Sequence, residues 1–185
     1  MRHSERRFAL RARTHDKHET LDAAIGAFET IEAYRRYVAF LGRFRCTMER
    51  ILNDVVWPAD WSWRPMALFS SIEQDAADLN ICLKPTHTPL VVFDNPSALL
   101  GALYVLEGST LGAAVLKSRA ALLGMSENFG ARHLAVMTSD LSFWRLFLRQ
   151  LDSVYDFDID CAAQSANAVF DLALQCIETE EVALP

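Results

Sequence analysis

Apolar side chains recur with the period of an α-helix along most of this 185-residue chain. In the first such stretch, Ser4 to Phe28, six residues are separated by four, four, three, four and three positions, which keeps them on one helix face. They are Leu10, Thr14, His18, Leu21, Ile25 and Phe28. Arg11, seven residues before His18, shares this face. The pattern predicts an amphipathic helix that points an imidazole into the core.

The imidazole at position 18 has two interpretations. A buried histidine whose ring nitrogens are hydrogen-bonded to neighbouring carbonyl groups is the common case. A neutral imidazole on a core-facing stripe is also a candidate iron ligand. The stripe alone does not decide between them.

Helical spacing continues in the other segments, and turn residues separate them. We predict a connector at Trp57 to Pro65, a turn at Gly124 to Gly130, and an isolated possible strand at Leu90 to Phe93. Further helices are predicted over 29–56, from the connector through Leu83, from Asn95 to about Leu123, over 138–152, and from Ile159 to about Glu180. The sequence therefore predicts an all-α bundle that forms a single domain over residues 1–185.

Composition narrows the class of protein. The hydrophobic fraction is 51% and the formal net charge is −6, which fits a compact globule with no broad basic surface for nucleic acid. The four cysteines form no Cys-x-x-Cys pair, so we expect free thiols rather than a zinc site. The longest apolar run, Ala98 to Leu106, is too short to span a bilayer. We expect a soluble, cytoplasmic protein without membrane or nucleic-acid partners.

Two glycines interrupt the most apolar predicted helix. Gly108 and Gly112 lie four residues apart on one face, and a glycine inside a helix costs about 1 kcal/mol relative to alanine. A close helix crossing, a kink, or a flat ligand lying against exposed backbone would each explain them.

Two motifs resemble those of a known family. The segment Tyr-Val-Leu-Glu-Gly-Ser-Thr-Leu-Gly, Tyr104 to Gly112, resembles the distal-helix signature of bacterial heme oxygenases, especially the type that accompanies bacterial phytochromes. Leu-x-x-x-Thr-x-x-x-His, Leu10 to His18, is similar to the family's proximal-helix motif. The segments Phe143 to Leu151 and Ala163 to Phe170 resemble its carboxy-terminal helices. The resemblance covers nearly the whole chain.

The resemblance implies a heme-oxygenase-like helical bundle and an enzymatic activity. Heme would be both cofactor and substrate, and would be opened to biliverdin with release of carbon monoxide and iron. The reaction would consume O2 and electrons from a donor such as a ferredoxin and its reductase, or ascorbate. The product would supply a bacteriophytochrome, or the reaction would recover iron.

The resemblance also assigns residues. His18 would be the proximal iron ligand, in a motif that contains Thr14, and Gly108 and Gly112 would line the distal side. Ser109 stands where animal enzymes have an aspartate; it would anchor a water molecule, or make an ordinary bond to a preceding helix carbonyl. Three arginines match positions that meet the heme propionates: Arg11, Arg145 and Arg149.

The chain departs from the family pattern at one position. The family usually has Gly-Gly where this chain has Gly112-Ala113, and a methyl group in a backbone-lined pocket would tilt the heme or close the pocket. The alternative is therefore a degenerate relative that binds heme, another tetrapyrrole or a protein partner without catalysis. Di-iron and thiaminase-type activities are disfavoured, because the chain has no Glu-x-x-His element and neither motif contains a cysteine.

Overall fold

The computed structural model describes residues 5–61, 63–83, 93–140 and 142–181, with the backbone only from 178 onward. Its helices are α1 (Glu5–Ile25), α2 (Ile31–Asn53), α3 (Phe69–Asp78), α4 (Pro96–Gly108), α5 (Ala113–Leu122), α6 (Arg132–Ser139), α7 (Ser142–Ser153) and α8 (Ile159–Glu181). A 3-10 turn, Ser109–Gly112, joins α4 to α5. These residues contain no β-strand, so the all-α prediction is confirmed.

Several helix starts follow from local sequence. Thr30 caps α2 by accepting a hydrogen bond from the amide of Ala33 at 3.2 Å. Asn95 caps α4 in the same way, accepting from the amide of Ala98 at 2.9 Å, and Pro96 occupies the first helical position. Both are side-chain caps of the kind that short-range sequence patterns encode. The predicted start of the long apolar helix at Asn95 is thus confirmed.

Three predicted boundaries were wrong. The third helix ends at Asp78 rather than Leu83, and Asn80 follows in the left-handed region with φ 54°. The long apolar helix is interrupted by the 3-10 turn instead of running unbroken to about Leu123. A separate helix, α6, precedes the one predicted from Thr138. Most of the possible strand, residues 90–92, lies outside the described residues.

The start of α6 explains why sequence patterns missed it. Its N-cap residue, Ala131, provides no side-chain hydrogen bond. Asp75 of α3 accepts instead from the amides of Arg132 and His133, each at 3.0 Å. The first turn of α6 is therefore capped by a residue 57 positions earlier in the chain, which no local pattern indicates.

Helix α8 lies between α1 and α4, and both helices run parallel to it. The first turn of α4 meets the start of α8, where the Asp158 amide donates to Ser97 Oγ at 2.9 Å. Along α1, Arg13 pairs with Asp160, and Lys17, one turn later, pairs with Asp171. The carboxy-terminal halves of α1 and α4 therefore flank the same stretch of α8.

All eight helices contribute to one cluster of buried apolar side chains. The stretch Pro96–Leu122 is long and apolar enough to cross a membrane by length and composition alone, but 56% of its most apolar window is buried inside the bundle. Burial against α8 accounts for its hydrophobicity, because a central helix of a helical protein is apolar on most sides. We interpret it as a core helix.

Candidate functional site

Helices α1 and α4 touch through a pair of hydroxyl groups. Thr14 is buried and donates to the Leu10 carbonyl at 2.9 Å, and its hydroxyl lies near enough to the phenol of Tyr104 of α4 to lower the pKa of that group, which burial raises. One turn further along each helix stand His18 and Gly108, and residues four apart share a helix face. We call the space beyond the Thr14–Tyr104 contact, between these two faces, the slot.

His18 borders the slot but does not point into the core. Its side chain is 61% exposed, so the prediction of a buried imidazole was wrong. Nδ1 lies 3.0 Å from Oδ2 of Asp22, and the ring meets Phe170 of α8 edge-on with centroids 5.9 Å apart. Because Asp22 occupies Nδ1, the lone pair of a neutral ring is left on Nε2, which is how ligating histidines are commonly oriented.

His15 provides a comparison on the same helix. It pairs with Glu19, again four residues later, with 3.2 Å between Nε2 and Oε1, and it is similarly exposed. Here the carboxylate occupies the other ring nitrogen, and of the two histidines only His18 packs against an aromatic ring of α8 among the described residues. Within the described part of the chain, no group of three or more His, Cys, Asp or Glu side chains could hold a metal ion.

The two glycines of the distal motif face open space. A Cβ atom built on Gly108 or Gly112 meets no atom within 4 Å, and their φ angles, −59° and −85°, suit any residue. A close helix crossing therefore does not explain them. The helix does change its winding here, so the kink interpretation is partly right, and the open space is what a ligand lying against the backbone requires.

Apolar side chains continue the glycine face. Leu111 and Val115 lie three and seven residues after Gly108, which places them on about the same face. Their exposed fractions are 54% and 56%. Large apolar side chains exposed beside backbone that no side chain covers form the kind of surface that binds a flat apolar ligand.

Ala113 lies on the other side of the helix. It is fully buried in the core cluster, whereas Gly112 is exposed. Its methyl group is therefore packed among core side chains rather than on the open face. The predicted obstruction by Ala113 has no structural basis at the slot.

The hydroxyl groups after Gly108 make ordinary helix bonds. Ser109 Oγ donates to the Leu106 carbonyl and Thr110 Oγ1 to the Glu107 carbonyl, both at 2.6 Å. Ser109 Oγ also accepts from Nη2 of Arg45 at 3.2 Å. Of the two roles considered for Ser109, the bond to a preceding carbonyl is present.

The three arginines predicted to bind propionates belong to the two helices, α1 and α7, whose side chains Thr14 and Trp144 lie beside Tyr104 of α4. Arg11 is close enough to Tyr104 to offset part of the rise in its pKa that burial causes. Arg145 and Arg149, four apart and exposed, belong to α7, whose Trp144 packs on Tyr104 with ring centroids 6.2 Å apart. No hydrogen bond or ion pair within the described ranges engages these three guanidinium groups.

A third histidine–carboxylate pair has a structural role. His133 Nδ1 lies 2.7 Å from Asp75 Oδ2, and both side chains are fully buried. Burial would raise the pKa of Asp75, but hydrogen bonds from the His133 side chain and from the amides of His133 and Arg132 outweigh it and lower the pKa. This pair joins α3 to α6 and has no open face.

Sequence reasoning missed several residues of the site. Asp22 could have been found, because it follows His18 by four positions on a predicted helix. Phe170 lies in a segment already compared with the family. Glu107 stands inside the quoted motif but was given no role. Arg45, whose side chain lies behind the glycine face, carries no sequence signal, since only the packing of α2 on α4 brings it near Glu107.

The chain is similar to two heme oxygenases. It is 50% identical over 56 residues to heme oxygenase PigA of Pseudomonas aeruginosa, an alignment that covers 30% of this chain and 28% of PigA. Its fold matches the crystal structure of the NO- and CO-bound heme oxygenase from Neisseria meningitidis with a TM-score of 0.71 at 24% identity, over 94% of this chain and 90% of that one. No protein-family model matches the chain. The heme-oxygenase-like fold predicted from the motifs is confirmed.

Proposed function

We propose that this protein is a biliverdin-producing heme oxygenase that binds heme in the slot, with His18 as the proximal iron ligand. The observation that supports this most is the pairing of an exposed imidazole, free at Nε2, with backbone that faces open space at Gly108 and Gly112. The similarity to PigA and to the Neisseria enzyme supports the same activity.

Each group has a part in the proposal. Bound heme supplies the iron that binds and activates O2, and its own ring is the substrate. Asp22 accepts from Nδ1–H of His18 and fixes the tautomer that leaves Nε2 toward the iron. Gly108 and Gly112 would let the ring lie close to the backbone, and the exposed side chains of Leu111 and Val115 would pack on it and exclude water.

The charged groups set orientation. Arg145 and Arg149 form a pair at i, i+4 that suits a carboxylate, and Arg11 adds a third positive charge on α1. They would hold the propionates at the amino-terminal side of the slot and so decide which ring edge enters first. A cytoplasmic location, an electron donor such as a ferredoxin and its reductase, and delivery of biliverdin to a bacteriophytochrome belong to the same proposal.

A hemin titration tests the proposal. We expect a Soret band with a histidine-ligated spectrum, followed by conversion to biliverdin absorption when ascorbate or a ferredoxin system is added. His18→Ala should abolish the histidine-ligated spectrum and lower hemin affinity at least tenfold. His15→Ala, equally exposed and equally paired with a carboxylate, is the matched control and should leave both unchanged.

The results of this titration distinguish a heme oxygenase from a non-catalytic relative. A histidine-ligated complex that produces no biliverdin under reducing conditions would support the degenerate, non-catalytic relative. No saturable hemin binding, or equal losses in the His15 and His18 variants, would refute the site itself.

A further inference from the structure

A buried arginine lies behind the glycine face. Arg45 of α2 is the largest fully buried side chain in the described part of the chain, with 1% of its surface exposed. Its Nη2 donates to the Leu106 carbonyl at 3.1 Å and to Ser109 Oγ at 3.2 Å. Both acceptors lie where α4 gives way to the 3-10 turn.

The change from α to 3-10 winding disturbs the regular hydrogen bonds of the helix. At such a junction, carbonyl groups lose their usual partner four residues ahead and need another donor. The Leu106 carbonyl accepts from two side chains, Arg45 and Ser109. The junction is therefore held by side-chain donors, one of which comes from another helix.

The buried charge has a nearby counter-charge. Glu107 is fully buried, and its Oε1 accepts from the Met66 amide at 3.3 Å. Burial raises the pKa of Glu107, and the positive charge of Arg45 lowers it in part. Glu107 Oε2 and Arg45 Nε are buried without a hydrogen-bond partner in the described residues. A buried pair of this kind adds little or nothing to stability compared with apolar side chains of the same size.

The winding of the turn decides which side of the helix meets the slot. Four residues at three per turn, instead of 3.6, rotate the following helix by about 80° relative to a regular α-helix. In the 3-10 turn residues three apart are eclipsed, so Leu111 stands directly in line with Gly108. If residues 109–112 became α-helical, Leu111 would move about 60° away from that line.

We propose that Arg45, with Glu107 as its counter-charge, is a positioning residue that holds the 3-10 turn and so keeps Leu111 in line with Gly108 on the face that borders the slot. The proposal rests on the proposed function only for the identity of the ligand. Arg45 lies behind the helix and acts through Leu106 and Ser109.

Hydrogen–deuterium exchange on the protein without heme tests the first part. Arg45→Met removes the donors at similar volume, and we expect exchange of amides 106–113 to rise at least tenfold while α1 and α8 stay protected. Arg43→Met is the matched control: Arg43 is buried on the same helix but donates to the Cys176 carbonyl of α8 at 2.9 Å. It should leave exchange at 106–113 unchanged relative to the rest of the chain.

Because Arg45→Met leaves Glu107 buried without its counter-charge, that variant could fold poorly. The double variant Arg45→Met with Glu107→Leu removes both charges and should retain overall stability. We expect it still to show fast exchange at 106–113, with hemin affinity at least tenfold weaker than wild type. Arg45→Lys, which keeps the charge but loses the two-donor geometry, should fall between the two.

Two results would overturn the proposal. One is wild-type protection of 106–113 in the folded double variant, and the other is wild-type hemin affinity in that variant together with fast exchange. If the wild-type protein fails to bind hemin, the proposed function fails, but the exchange experiment still decides whether Arg45 holds the turn.

Discussion

The two halves of the long apolar helix use glycine for opposite reasons. At Gly101, in the first half of α4, a Cβ atom would stand 1.9 Å from the Ala162 carbonyl oxygen of α8. At Gly108 and Gly112, in the second half, a Cβ atom would meet nothing within 4 Å. Gly101 is needed because the backbone of α8 leaves no room for a side chain. Gly108 and Gly112 have room for a side chain, so we attribute them to a ligand that lies against the backbone.

The largest effect is expected at Gly101. Gly101→Ala places a methyl group against backbone that cannot rotate away, so α4 and α8 must separate, and overpacking of a core costs about 3 kcal/mol. Urea unfolding monitored by circular dichroism would measure the loss. A variant with wild-type stability would show that α4 and α8 are not packed this closely.

At Gly108 and Gly112, stability and binding should change in opposite directions. Replacing a helical glycine by alanine in open space stabilises a protein by about 0.5–1 kcal/mol. Gly108→Ala and Gly112→Ala should therefore keep or raise the free energy of unfolding without heme, while lowering hemin affinity at least tenfold. The first is measured by urea unfolding and the second by Soret titration. Unchanged hemin affinity in both variants would mean that the ligand does not touch this backbone.

The difference between these glycines shows what the sequence could predict. Helical periodicity, the Asn95–Pro96 start and the two motifs were sufficient for the all-α fold and for the helices that flank the slot. The same pattern suggested a close crossing as one reason for Gly108, but the crossing lies at Gly101. Which face of a helix meets another helix depends on packing, and Gly101 itself has no local signature. The single-domain expectation stays a prediction.

The other misses have the same cause. His18 lies on the predicted stripe between Thr14 and Leu21, yet α1 is packed through Thr14 while His18 is left exposed one turn later. The 3-10 turn at Ser109–Gly112 accepts a hydrogen bond from Arg45, which is more than 60 residues away in sequence. Periodicity gives the face of a helix, but not the point along the helix at which its partner stops covering that face.

A smaller effect is expected at Ala113, and it tests the position of its methyl group. Ala113 is packed in the core beside an exposed Gly112, so Ala113→Gly removes a core contact and adds backbone entropy to the unfolded chain. We expect a loss of about 1 kcal/mol in the free energy of unfolding and no gain in biliverdin production. Faster turnover in Ala113→Gly would show instead that the methyl group obstructs the slot.

The smallest effect is expected at Glu107, which lies between the two halves of the helix. It is a change in how the free energy of unfolding depends on pH. Burial raises the pKa of Glu107 in the folded protein, and the charge of Arg45 offsets only part of that rise. A carboxyl group that holds its proton more tightly when folded contributes stability below its unfolded pKa of about 4.3, and loses it as pH rises through the folded pKa. The free energy of unfolding of the wild type should therefore decline, relative to Glu107→Gln, as pH rises from about 4 toward neutrality.

Urea unfolding of both proteins at closely spaced pH values gives the difference directly. If the free energies of unfolding of the two proteins changed in parallel with pH, Glu107 would be solvated. The part of the helix that packs closely against α8 would then end before position 107.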